Sequence, residues 1–122
     1  MIGSPQVREA IMDVMSITDL GDAQVEIARS AHSGRAAHTV HGGSGHALRQ
    51  VVMALAAGRK LAEHENPGET TLLVLSGKVE LTAVSTKAAL ATGDYVIVPP
   101  ERHDLTALED SAVLLTIVSR AS

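Results

Sequence analysis

The run Glu69-Thr70-Thr71-Leu72-Leu73-Val74-Leu75-Ser76-Gly77-Lys78-Val79-Glu80-Leu81-Thr82-Ala83-Val84 decides the fold of this 122-residue chain. It holds two strand-length segments, Thr70–Leu75 and Lys78–Val84, bounded in front by Asn66-Pro67-Gly68 and split by Ser76-Gly77. Glycine tolerates the positive φ of a two-residue turn, so Ser76-Gly77 predicts a tight hairpin. Leu72-Leu73-Val74-Leu75 is apolar at successive positions, hence on both faces of a strand, as is Val113-Leu114-Leu115. Strands of that kind need cover on both sides, which favours a closed barrel with helices or a second subunit outside it.

Working outward, further strand-length segments are Ala36–His41, Leu48–Ala56, Tyr95–Val98 and Ala112–Ser119. Gly42-Gly43-Ser44-Gly45, Gly93-Asp94 and Glu109-Asp110 punctuate them, and this regular spacing indicates an all-β sandwich or barrel. The N-terminal part reads differently. Ser4 before Pro5 is a helix start, and Val7, Ala10, Ile11, Val14 and Met15 then recur at helical spacing. A second helical stretch, Thr18–Ala31, places Leu20, Ile27, Ala28 and Ala31 on one side, with Gly21 weakening it. The expected organisation is a helical extension over residues 1–32 and a β-domain over 33–122, the helices covering a sheet face or edge.

Composition removes several classes of function. With no Phe, no Trp and one Tyr, the chain has neither a base-stacking platform nor an aromatic sugar subsite, and its core must be aliphatic. A formal charge of -4 and the lack of a basic run or helix-turn-helix pattern argue against nucleic acid as a partner. Without Cys there is no disulfide, thiolate nucleophile or Cys-based metal site, so any metal rests on His, carboxylate and water. No signal-like start is present, and the longest apolar run, Val51–Ala57, is far short of a membrane span, so a cytoplasmic protein that makes no use of membrane is expected.

Two motifs carry a resemblance. The segment Gly58–Gly77, with His64, Asn66, Glu69 and Thr70, resembles the first motif of the cupin superfamily, G-x5-H-x-H-x3-E-x6-G. Gly93-Asp94-Tyr95-Val96-Ile97-Val98-Pro99-Pro100-Glu101-Arg102-His103 resembles the second, G-x5-P-x-G-x2-H. The resemblance implies a small single-domain, RmlC-like barrel, an all-β double-stranded β-helix or jelly roll of six to eight strands, often dimeric, with a pocket in its mouth. It also implies a divalent ion (Zn, Fe, Mn or Ni) held by three His and one Glu. Here His64 and His103 occupy two of those positions, while Asn66 and Thr70 stand where a His and the Glu belong. Both replacements are neutral, weak ligands for a transition ion. Glu69 is one residue early, and a one-residue offset in a strand reverses the side chain; it serves as a third ligand only if the strand starts late or is bulged. Gly93 is one residue closer to His103 than the pattern asks and Pro100 replaces the turn glycine, a shortening that re-aims His103.

The remaining candidates weigh less. His38 and His41 are three apart, which in a regular strand puts them on opposite faces. His46 follows the Gly-rich turn and His32 ends the second helical stretch; both read as structural, and the Gly cluster lacks the ending of a phosphate loop. Glu63 and Glu65 flank His64 as possible bases or as plain solvated charge. Tyr95 is read first as a packing residue and second as a polar contact at the barrel rim. Arg49 and Gln50 alternate in an otherwise apolar strand, so one points inward, where Arg49 would hold a ligand carboxylate. The expected pocket therefore comprises His64, Asn66, Thr70, Glu69, His103, Arg49 and Tyr95. Three functions stay open: a module binding a small polar ligand beside a reduced two-His metal site, in a homodimer; a divalent-metal-dependent oxygenase, isomerase or lyase; and a barrel that serves mainly as a dimerisation or scaffold unit.

Overall fold

The structure, a computed structural model, describes residues 12–62 and 68–118. One helix, α1 (Ile17–Ser30), precedes nine strands: β1 (Arg35–His41), β2 (Leu48–Leu55), β3 (Lys60–Ala62), β4 (Glu69–Ser76), β5 (Lys78–Ala83), β6 (Lys87–Ala91), β7 (Tyr95–Ile97), β8 (His103–Ala107) and β9 (Ser111–Val118). They form two antiparallel sheets, one in the order β1-β2-β9-β4-β7 and one in the order β3-β8-β5-β6. Leu55, Leu72, Val74 and Val113 of the first sheet meet Val79, Leu81, Leu90, Leu105 and Ala107 of the second in one aliphatic core. This is the all-β architecture that the strand pattern predicts and the jelly roll that the resemblance implies, with nine strands among the described residues rather than six to eight.

Ser16 starts α1: its backbone is extended and its hydroxyl accepts the Asp19 N–H at 3.1 Å, a cap worth about 1 kcal/mol. The helix lies on the five-stranded sheet against β1, β2 and β9, and its buried face is Gly21, Gln24 and Ala28. Sequence periodicity places Ile27 on that face; it is exposed instead. Gly21, Gln24 and Ala28 stand at i, i+3 and i+7 and form one stripe against the sheet, where a Cβ on Gly21 would sit 3.4 Å from both Ala112 Cβ and Leu75 Cδ1, and that stripe leaves Ile27 to one side. The predicted helix from Ser4 falls mostly outside the described residues. Its last part is corrected: Met12–Ser16 is not helical, and Val14 and Met15 lie exposed.

The predicted Ser76-Gly77 hairpin is also corrected. β4 pairs with β9 and β7, and β5 pairs with β8 and β6, so the two strands do not pair with each other. Gly77 does adopt positive φ, +86°, yet it turns the chain from one sheet into the other. Ser111, fully buried, fastens this corner by accepting the Lys78 N–H at 3.0 Å and reaching the Glu109 carbonyl at 2.7 Å. A second irregularity lies in β1, where Thr39 faces Val51 and His41 faces Gln50. That shift sets His38 opposite Val52 and His41 opposite Gln50, residues of one face of β2. The two imidazoles thus share a side, contrary to the alternation expected of a regular strand.

Candidate functional site

Alternation along β4 turns Thr70, Leu72 and Val74 to the interior and Glu69, Thr71 and Leu73 outward. On β9, Ile117 and Leu115 stand directly opposite Thr70 and Leu72 and share their face. From the other sheet, His103 and Leu105 of β8 point in, beside Leu61 of β3 and Leu81 of β5. With Val98 these nine residues line a cavity between the sheets. The space inside it open to the centres of water-sized molecules is about 40 Å³.

Two of the nine are polar. Thr70 is 4% exposed, and its hydroxyl oxygen is buried without a hydrogen-bond partner among the described residues. An unsatisfied buried hydroxyl costs about 1–3 kcal/mol. His103 is 7% exposed, and its Nδ1 lies 2.8 Å from the Glu101 carbonyl oxygen. A carbonyl only accepts, so Nδ1 carries the proton and, in the neutral ring, Nε2 carries the lone pair. Glu101 is itself anchored: one carboxylate oxygen accepts both the Ser85 N–H and the Ser85 hydroxyl at 3.0 Å. Those bonds, the backbone one foremost, hold the Glu101 carboxyl below its ordinary value of 4.5.

The positions expected from sequence are distributed as follows. Thr70 and His103, from opposite sheets, line one cavity. His64, Asn66, Glu63 and Glu65 lie outside the described residues. Glu69 begins β4 opposite Val118, with no bulge to turn it inward, and is exposed on the face away from Thr70. Arg49 is exposed and lines a surface groove with Thr39, Gly43 and His46 rather than the cavity. Gln50 bonds to Thr116 at 3.2 Å. Tyr95 is 60% exposed on the edge strand β7, not packed in the core. His38 and His32 are exposed, and His41 stacks edge-on against His46 with ring centroids 4.9 Å apart. The aliphatic lining, Leu61, Leu72, Leu81, Val98, Leu105, Leu115 and Ile117, was not anticipated as site. Counting in twos from Thr70 reaches Leu72, but Leu61 and Leu105 sit on strands that the sequence does not announce.

Among the described residues no three His, Cys, Asp or Glu side chains come together as a metal site. The described donors of the cavity are one imidazole and one neutral hydroxyl, a set that does not hold a first-row transition ion. Any such ion would depend on His64.

The cupin domain profile matches residues 51–119, more than half of the chain, and the protein belongs to the cupin family. No curated protein matches it. Among solved structures it is similar to a conserved protein of unknown function from Streptococcus pyogenes, with 21% identity, 93% of each chain covered and a TM-score of 0.71. An RmlC-like cupin protein from Desulfovibrio desulfuricans shares 25% identity over 69% of this chain and 81% of its own, with a TM-score of 0.60. The salicylate 1,2-dioxygenase of Pseudoaminobacter salicylatoxidans superposes with a TM-score of 0.68 at 21% identity, over 83% of this chain and 33% of the enzyme.

Proposed function

We propose that this cupin domain binds a small molecule in the cavity between its sheets, with Thr70 and His103 as the polar contacts. The observation that carries this reading is the Thr70 hydroxyl, buried without a partner among the described residues, on a residue that lines one cavity with His103. A folded protein that leaves such a group unsatisfied loses stability, and a ligand that completes the bond recovers it. Thermal-shift screening of metabolites in the presence of a chelator tests the reading; stabilisers that survive chelation are expected, and dependence of every hit on added metal would count against it. The protein is also proposed to act in the cytoplasm and, as the resemblance implies, as a homodimer.

A second reading, a divalent-metal-dependent oxygenase, isomerase or lyase, is supported by the orientation of His103. Its Nδ1 proton is committed to a backbone carbonyl, the arrangement that prepares Nε2 of a histidine to ligate. His64 and His103 would be the ligands, and Zn, Fe, Mn or Ni the ion. Incubating the apo protein with each ion and measuring stoichiometry decides it: uptake should fall in the His64→Ala, His103→Ala double variant, and unchanged uptake rules the reading out.

A further inference from the structure

We infer that the part of the ligand entering the cavity is neutral and mainly aliphatic, a short branched or straight chain carrying a single hydrogen-bonding group that Thr70 reads. This rests on the ligand-binding function proposed above and narrows the chemical class it admits.

Seven of the nine lining side chains are aliphatic, and the only titratable group among them is His103. A sugar or polyol placed there would press most of its hydroxyls against aliphatic side chains, with only Thr70 and His103 among the described lining residues to receive them, at a cost of about 1–3 kcal/mol for each one left unpaired. A carboxylate or phosphate would lose its water without a fixed counter-charge among the described residues, which is costlier still. Size points the same way. With about 40 Å³ open to water-sized centres, and about 10–15 Å³ needed per water, the cavity takes a group of about three to four heavy atoms. An isopropyl or propyl end fits; a pyranose ring does not.

Beside His103, the Thr70 hydroxyl supplies a directional contact. It has no hydrogen-bond partner among the described residues, so a ligand group reaching it adds a bond without displacing one. A hydroxyl both donates and accepts, and therefore serves an alcohol, a ketone or an amide equally well.

The test titrates three groups of probes into the chelator-treated protein and follows its amide NMR spectrum. Isobutanol, 3-methyl-2-butanone and isobutyramide are the neutral aliphatic set, isobutyrate the charged one, and glycerol and glucose the polyhydroxylated one. The expected result is that the first set shifts the amides of Thr70, Leu72 and Ile117 and binds more tightly than the other two. In Thr70→Val that binding weakens about fivefold, the loss of one neutral hydrogen bond, while Thr70→Ser keeps it. Without any probe, Thr70→Val raises the melting temperature, because an unpaired hydroxyl has been replaced by a methyl of the same shape. A bond made within the folded protein would give the opposite sign. Tighter binding of isobutyrate or glucose at these amides overturns the aliphatic class and leaves the binding function standing; unaltered affinity in Thr70→Val overturns the role of Thr70; and no shift at these amides with any probe overturns the inference and the binding function together.

Discussion

At the scale of single residues, two positions govern how the site and its frame are held. Gly77 has φ +86°, and a Cβ there would run into Ser111 and the Asp110 carbonyl. Gly77→Ala is expected to destabilise the fold by about 2 kcal/mol or more, read from urea denaturation. Thr70 faces the cavity that holds His103, so a carboxylate at position 70 would face that imidazole. The double variant Asn66→His, Thr70→Glu is accordingly expected to gain tight binding of a divalent ion by calorimetry; unchanged affinity would mean that the pocket is not built as a weakened metal shell. The convergence of Thr70 and His103 was legible in the sequence, because the two motifs mark both positions. The orphaned state of the Thr70 hydroxyl was not, since a partner's absence depends on every neighbour at once and not on residue type.

At the scale of elements, the approach of α1 to the sheet and the loop around Glu101 each make a prediction. Gly21 has neighbours at ordinary contact distance from a new methyl group, and alanine is the better helix former by about 1 kcal/mol. Gly21→Ala should therefore stabilise the protein, whereas Gly21→Leu should push the helix off Ala112 and Leu75 and cost about 1–3 kcal/mol, both measured by thermal melting. The carboxylate of Glu101 holds the Ser85 loop while the carbonyl of the same residue holds His103. Its folded pKa is lowered, so the contribution to stability is fully present above the ordinary value of 4.5 and is lost as pH falls below it. A melting-temperature profile should show a smaller fall in that acid window for Glu101→Gln than for the native chain. Element boundaries were readable where β-branched and leucine-rich runs met glycine, as in β4 and β9. They were hidden in β6, which is alanine-rich with weak strand propensity, and in β3, only three residues long. Ser76-Gly77 was misread because local turn chemistry does not disclose which strand edges more distant segments already occupy.

At the scale of the whole molecule, the doubly apolar runs predicted an enclosed two-sided sheet, and that inference needed no tertiary knowledge because a strand greasy on both faces has few other fates. Light scattering is expected to give a mass twice that of one chain; the exposed Tyr95 and Ile97 on edge strand β7 are candidates for cover, and a single-chain mass would remove the dimer. The position of β9 has a kinetic consequence. It follows all the other strands in the chain yet lies between β2 and β4, and the bonded pair Gln50 and Thr116 is 66 positions apart. Closing loops of that length comes before any reward from pairing. Refolding should therefore run in the millisecond-to-second range, with pulse-labelled amides of β2, β4 and β9 becoming protected in a single phase. The central staves of this sheet wait for one late arrival, and β2 and β4 have no reason to come together before it.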